Sequence, residues 1–296
     1  MPHSPLVSVV IATHNRAGLL PKSIASIQSQ TLQDFEIILV DDASQDETPS
    51  LVSELSQGDP RIRSYRSEIN LGPGAARNWG VQQARGDFIA ILDDDDLALP
   101  ERLEVQLTVL QSDPEIALVF SAVDWIDRNG LEIGRFPGIV LRGEFPTDPT
   151  EVFKLLYLQG NKIPNATIMA RREILLEFPY PSNPWVGEDW LMVMRLAACG
   201  LRFKAIQDPL VRMLRESDHQ SLMKRTDYVT RAQYQVLQIM KAWLLEQEIH
   251  TFDAIHREAY ANQVVREARV RSGIAGLLLD MKALILDPEN ISARQT

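Results

Sequence analysis

The sequence predicts an α/β protein, a mainly parallel central sheet flanked by helices with a helical extension at the carboxyl end. Three observations predict it. Over the first 110 residues, short β-branched runs alternate with longer stretches whose apolar residues recur at helical spacing, which is the pattern of βαβ units. Three of the short runs stop on polar clusters: Thr13-His14-Asn15-Arg16, Asp41-Asp42 and Asp93-Asp94-Asp95-Asp96. Charge is divided as well, with 20 Lys/Arg against 31 Asp/Glu in residues 1–222 and 10 against 9 in residues 223–296.

Leu6–Ala12 reads as the first strand, and Leu19, Leu20, Ile24 and Ile27 give a helix over Ala17–Gln30 its apolar face. Phe35–Val40 is a second strand, Thr48–Leu55 a helix and Ile62–Arg66 a third strand. Pro73–Ala84 is helical, with Pro73 in the first turn, where a missing N–H costs little. Phe88–Leu92 is the strand that ends in the Asp run, and Pro100–Leu110 is the next helix. Ile116–Ile126 is a strand, and the turn Asp127-Arg128-Asn129-Gly130 joins it to Leu131–Phe136. Pro137–Pro149 reads as loop, Val152–Leu158 as helix and Ala166–Ala170 as strand. Glu188–Ala198 is a helix stopped by Gly200, followed by strands at Phe203–Ile206 and Leu210–Leu214. From Met223 the pattern is helical to Leu286, broken near His250-Thr251 and Ser272-Gly273. The division expected is an α/β domain over 1–222, with halves 1–110 and 111–222, and a helical extension over 223–296.

Composition narrows the function. The chain has 296 residues and a net charge of −10, which argues against a nucleic-acid binder, because phosphate contacts need Lys and Arg. Cys199 is the single cysteine, so neither an intramolecular disulfide nor a cysteine-cluster metal site is available. The first eighteen residues read as a strand rather than a signal peptide. No run approaches the ~18 apolar residues of a membrane span. A cytoplasmic enzyme is the expectation.

In open α/β sheets, ligands collect beyond the carboxyl ends of the strands. Taken singly, Thr13-His14-Asn15 could cap a helix, Asp41-Asp42 could be turn chemistry and the Asp run a solvated face. Three such clusters at one sheet edge point to a site. Four adjacent carboxylates repel one another unless a cation neutralises them. Hard oxygen ligands suit Mg²⁺ or Mn²⁺, and Mg²⁺ commonly takes one or two carboxylates together with substrate phosphates. A diphosphate-bearing substrate is therefore expected. Neither G-x-x-x-x-G-K-[ST] nor a G-x-G-x-x-G after the first strand is present, which disfavours P-loop and dinucleotide-binding proteins.

Read together, VSVVIATHNRAGLLPKSIASIQSQT, FEIILVDDASQDET and NLGPGAARNWGVQQARGDFIAILDDDDLALPERL, with the later VGEDWLMVMRLAACGLRFKAIQDPLVRMLRESDHQS, resemble a family 2 glycosyltransferase. The resemblance covers residues 6–110 and 186–221. It implies the GT-A fold, an inverting reaction, a nucleotide-diphosphate sugar donor and a divalent cation. By position, it implies that Thr13, His14, Asn15 and Arg16 lie against the nucleotide and that Asp42 accepts a hydrogen bond from the base. Arg77 then approaches the nucleotide and phosphates, with Gly72 and Gly74 allowing close backbone approach. Asp93 faces the ribose and sugar and Asp95 is the metal ligand; because 94 and 96 are Asp too, the register within Asp93–Asp96 stays open, and Asp94 is a second candidate. Gly187-Glu188-Asp189-Trp190 matches the motif that supplies the catalytic base: Asp189 is the base, and Glu188 orients the acceptor or its loop. His219 is a further metal or phosphate candidate. Asn165, Trp185 and Trp190 are acceptor-side candidates, Trp190 being equally readable as core. The acceptor class is a carbohydrate or lipid-linked glycan, in cell-surface polysaccharide or glycoconjugate synthesis. A UDP donor is the first expectation, with GDP and dTDP as others. Processive members carry membrane spans and Q-x-x-R-W, and this sequence has neither.

Outside the resemblance, Ile274, Leu277, Leu278, Met281, Leu284 and Ile285 form one apolar helical stripe. It fits packing on the catalytic domain or on a second copy, with a peripheral contact at the inner membrane face as the alternative. Two rival functions are a sugar-nucleotide nucleotidyltransferase and a catalytically silent sugar-nucleotide-binding scaffold. The first would need a Gly-rich, Arg-bearing loop after the first strand, which Thr13-His14-Asn15-Arg16 is not; the intact Asp93, Asp95 and Asp189 weigh against the second.

Overall fold

The computed structural model describes residues 4–183, 186–215, 226–249 and 255. In chain order its elements are β1 (Val7–Thr13), α1 (Leu20–Gln28), β2 (Phe35–Asp41), α2 (Thr48–Gly58), β3 (Ile62–Arg66) and α3 (Pro73–Gln83). Then come β4 (Phe88–Ile91), β5 (Leu97–Ala98), α4 (Arg102–Ser112), β6 (Ile116–Ile126), β7 (Glu132–Phe136), α5 (Gly138–Leu141) and α6 (Pro149–Gln159). A 3₁₀ turn at Asn165–Thr167 leads to β8 (Met169–Arg171), α7 (Arg172–Glu177), α8 (Glu188–Ala198), β9 (Arg202–Leu214) and α9 (Thr226–Glu246).

One sheet runs in the order β3-β2-β1-β4-β8-β6-β9-β5, with β7 paired to β6. Its long ladders are parallel: β1 with β2, β1 with β4, β2 with β3 and β6 with β9. The short β8 pairs antiparallel with both β4 and β6 and so joins the two halves. Period-two alternation divides the core. Val10, Ile38 and Ile91 face α3, α6, α8 and α9, whereas Val9, Ile11, Ile37 and Leu39 face α1, α2 and α4. Burial on both faces is why β1 and β2 are nearly continuous apolar runs. From β1 the chain steps outward to β2 and β3, then returns to place β4 on β1's other side. The strand order reverses there, opening the crevice in which such sheets bind ligands.

Several boundaries differ from the sequence reading for physical reasons. The two strands expected at 203–214 are one strand, β9. Gln207 and Asp208 are shed at a register shift between the pairs Ser121–Ile206 and Ala122–Pro209, and a bulge is where a sheet tolerates proline. The loop expected at Pro137–Pro149 holds the single-turn α5, entered from Pro137. The Ala166–Ala170 strand divides into the 3₁₀ turn and β8, while β5 and α7 lacked a periodic signal long enough to read. Of the helical extension, α9 is described and packs Val236, Leu237, Met240 and Leu244 into the core beside α8. The stripe from Ile274 to Ile285 lies outside the described residues. Among those described, no helix is long and apolar enough to cross a membrane.

Helix α3 sits close on the sheet because Gly80 has no side chain. A Cβ there would lie 2.5 Å from Val10 Cγ1 and 3.4 Å from Val40 Cγ2. Both neighbours are stiff, β-branched and buried. Gly80→Ala should therefore destabilise the fold by about 1–3 kcal/mol through overpacking, read as a lowered urea midpoint at unchanged m-value.

Candidate active site

The carboxyl ends of β1 and β2 are stitched together before any ligand is considered. The Asp42 N–H donates to the Thr13 carbonyl at 2.8 Å, the Asn15 N–H to Ser44 Oγ at 2.9 Å and the Arg16 N–H to Thr48 Oγ1 at 3.0 Å. His14 Nδ1 lies 2.6 Å from the Asp42 carbonyl oxygen, and its Nε2 lies 2.9 Å from Asn15 Nδ2. A carbonyl can only accept, so Nδ1 is the donor of the first contact, and the second ties the ring to the Asn15 amide. Asn15 and Ala43 adopt left-handed backbone, at φ 56° and 59°. Non-glycine residues held there signal a loop fixed by its surroundings.

Asp42 is buried, and its two oxygens accept the Leu71 and Gly72 N–H groups at 2.8 and 2.9 Å. That contact holds the glycine, at φ 84°, as the N-cap of α3. Gly74 makes a close approach, but to the protein's own chain: a Cβ would lie 2.8 Å from the Pro181 carbonyl oxygen and 3.1 Å from Glu188 Cγ. One turn on, Asn78 donates to the Tyr180 carbonyl at 2.7 Å and accepts its N–H at 2.8 Å. The segment before α8 is thus clamped onto α3.

Arg77 stands between these parts. Its guanidinium donates to Asp93 Oδ1 and to Glu188 Oε1, both at 2.8 Å, and lies over the Tyr180 ring with Cζ 5.5 Å from the centroid. Only 11% of its side chain is exposed. Burial opposes its charge, but Asp93 and Glu188 outweigh that and raise its pKa. The same Asp93 oxygen accepts from Asn165 Nδ2 at 3.3 Å, and Asn165 Oδ1 accepts the Tyr180 hydroxyl at 2.9 Å. Asn165, read as acceptor-side, therefore belongs to this network.

The four aspartates differ sharply. Asp93 faces Arg77. Asp94 is buried, 3.9 Å from Arg16 Nε, and burial pushes its carboxyl up to about 7 while the Thr13 hydroxyl opposes the rise. Asp95 lines a cavity of about 470 Å³ together with Lys22, Leu97, Arg128 and Leu214. Asp96 is buried; Oδ1 accepts the Leu214 N–H at 3.1 Å, while Oδ2 has no hydrogen-bond partner. Burial and then the neighbouring Asp93 and Asp95 push it well above the usual carboxylate range. Behind the run lies the fully buried Arg102. It donates to Gln106 Oε1 at 3.0 Å and to the Ile91 carbonyl at 2.6 Å, where its charge faces Asp96 and Asp93.

On α8, Glu188 and Asp189 occupy the first turn, where negative charge suits the helix dipole. Gly187 enters the helix at φ 86°, and a Cβ there would lie 2.8 Å from Val236 of α9. Asp189 Oδ2 accepts from Asn161 Nδ2 at 2.9 Å. Burial, then Glu188, pushes the Asp189 carboxyl up to about 7, against the Trp190 N–H and Arg77. The sequence reading is corrected at Trp190. Its ring is buried in the core and its Nε1–H donates to the Leu156 carbonyl at 3.0 Å, so it has no face for a sugar. Trp185 and His219 lie outside the described residues.

Among the described residues, no three His, Cys, Asp or Glu side chains converge to hold a cation unaided. The donor set nevertheless fits a cation that arrives with its substrate. Asp95 opens on the cavity, Asp96 leaves a buried oxygen without a partner, and Mg²⁺-type sites often use one or two carboxylates plus phosphate oxygens. Residues that sequence reasoning missed are Asn78, Asp96, Arg102, Asn161 and Tyr180. Only Asp96 carried a signal, and it read as an extra member of the run.

Two outcomes follow from this geometry. Arg77→Met strands two acids in a buried site and should cost about 3–5 kcal/mol of stability, measured by urea unfolding; a loss under 1 kcal/mol would contradict the bridge. Asp94 and Asp189 titrate near 7 when folded, against 3.8 as the reference value. The folded chain therefore holds protons that the unfolded chain releases, and each group makes stability fall as pH rises from about 4 to 7. In metal-free protein, Asp94→Asn should flatten that decline; an unchanged slope would contradict the burial of its carboxyl.

Comparison with known proteins places the chain in a family. The model of glycosyl transferase family 2 matches residues 8–175. An uncharacterized glycosyltransferase of Methanocaldococcus jannaschii is 34% identical over 235 residues, covering 79% of this chain and 76% of its own. The succinoglycan biosynthesis protein ExoO of Rhizobium meliloti is 32% identical over 206 residues, covering 67% of this chain and 57% of its own. The crystal structure of S. aureus TarS 1-349 in complex with UDP-GlcNAc superposes with a TM-score of 0.66 at 20% identity, covering 94% of this chain and 79% of that one, which shows a shared GT-A fold. The chain belongs to glycosyl transferase family 2.

Proposed function

We propose that this chain is an inverting, non-processive glycosyltransferase that moves one sugar from a nucleotide-diphosphate sugar to an acceptor hydroxyl. The observation that carries this reading is the shared guanidinium. Arg77 binds Asp93 from the strand-end cluster and Glu188 from α8, each at 2.8 Å. The donor-side acids and the Glu188-Asp189 pair therefore face one another across a single buried cation. A transferase needs this opposition, with leaving diphosphate on one side of the anomeric carbon and base on the other.

The nucleotide is assigned to the β1/β4 crevice, against the backbone of Thr13, His14, Asn15 and Arg16. Asp42 is assigned to the base, through lone pairs left by Leu71 and Gly72. Asp93, with Asp94 behind it, faces the ribose and sugar. Asp189 takes the proton of the acceptor hydroxyl as that oxygen attacks the anomeric carbon. The new C–O bond forms as the bond to the diphosphate breaks, and the electron pair leaves with the diphosphate. A divalent cation, Mn²⁺ or Mg²⁺, supplies Lewis-acid stabilisation of the departing charge when bound, and Asp95 is the residue to hold it. Glu188 acts through Arg77, keeping α8 in register with Asp93. A UDP-sugar is the first donor to test. A role in polysaccharide or glycoconjugate synthesis, with a carbohydrate or lipid-linked acceptor, draws support from the name of the Rhizobium relative.

A thermal-shift panel of UDP, GDP and dTDP with their sugars, with and without Mn²⁺, tests the donor site. One nucleotide class should stabilise the protein, and more so with metal; stabilisation by none would overturn the assignment. Asp189→Asn should keep that stabilisation and lose transfer, and retained turnover would remove Asp189 as the base.

A further inference from the structure

We infer that Asn161 is a positioning residue for the reaction, holding one carboxylate oxygen of Asp189 and leaving the other to meet the acceptor hydroxyl. The inference rests on the reading of Asp189 as base. Its geometry stands independently of that reading. Asn161 follows the C-cap of α6, where Gly160 turns the chain at φ 82°. Its Nδ2 donates to Asp189 Oδ2 at 2.9 Å, and its Oδ1 accepts the Ile163 N–H at 2.9 Å.

These two contacts fix the amide's orientation. Flipping it would set an oxygen against a carboxylate and an NH₂ group against an N–H, losing both bonds. The donor at Asp189 is therefore Nδ2 in this arrangement alone. A carboxylate held through one oxygen has a defined direction for the other, so the proton it accepts has one route. Hydrogen bonding also favours the charged form of the acid, which is the form a base requires.

Among the described residues, the groups that face Asp189 electrostatically are Glu188 beside it, Arg77 from α3, Asp93 at the end of β4 and the Tyr180 phenol. Burial, then Glu188 and Asp93, disfavour its ionisation, and the Trp190 N–H and Arg77 favour it. Asn161 is a neutral donor on the same carboxylate, and Lys162 follows it in the chain. Losing that donor leaves the acids and burial less opposed.

The test needs no substrate. With carboxyl-¹³C-labelled aspartate, the Asp189 resonance is assigned by its loss in Asp189→Asn and titrated by NMR in the full chain. Asn161→Ala should move its midpoint up by about one pH unit. Asn161→Asp keeps an acceptor for the Ile163 N–H but replaces the donor by a second acid. It should move the midpoint up at least as far, and it carries the test if the alanine variant does not fold. UDP binding in the presence of Mn²⁺, read by calorimetry, should stay within twofold of the unaltered protein. An unmoved Asp189 titration in both variants overturns the inference, as does a loss of UDP binding that accompanies an unmoved titration. Turnover retained in Asp189→Asn would overturn the base reading instead, leaving the measured Asn161 contact intact, so the two failures are distinguishable.

Discussion

Arg77 carries one positive charge, buried between two acids that both follow it in the chain but arrive from different elements. Glu188 is 111 residues away in sequence and Asp93 is 16. Isolated in an apolar setting, any of the three would be costly; hydrogen-bonded together they are tolerated. This requirement dictates much of the surrounding structure. Helix α3 must present its arginine at the switch point, the segment before α8 must lie close enough to bring Glu188 in, and Tyr180 must cover the pair. Gly74 and the two-way Asn78–Tyr180 contact meet those demands, the first by leaving space and the second by closing it.

The Asp run is managed by the same principle at several depths. Asp93 is neutralised by Arg77. The buried Arg102 lies behind the run, and Asp96 anchors the end of β9 through the Leu214 N–H. Asp94 and Asp96 lie in settings that favour their protonated forms. The Asp run is thus a local arrangement of unlike groups rather than a uniform negative patch. Such an arrangement can receive a cation and a diphosphate together, because each offsets charge that the other brings.

Much of this was legible in the sequence where a residue's meaning is local. The β-branched runs of β1, β2 and β6 and the helix over Glu188–Ala198 follow from periodicity, and the strand-end clusters follow from abrupt changes of polarity. Residues whose role depends on a distant partner were illegible. Asn161 follows Gly160 and reads as ordinary turn chemistry until folding brings Asp189 beside it. Tyr180 reads as one aromatic in a Pro-rich loop. Arg102 looks like a surface arginine in the first turn of a helix, yet it is fully buried. Trp190 was ambiguous for the same reason, because an indole at a helix start suits a sugar face or a core equally until its neighbours are known. β5 and α5 escaped because elements of two and four residues have no period to read.

The central claim is that Arg77 makes Asp93 and Glu188 one unit. A double-mutant cycle of Asp93→Asn and Glu188→Gln, measured by urea unfolding with Arg77 intact, tests it most directly. Two acids that share one buried guanidinium should give a coupling energy of about 0.5–3 kcal/mol. Additivity within about 0.3 kcal/mol, the behaviour of independent sites, would contradict it.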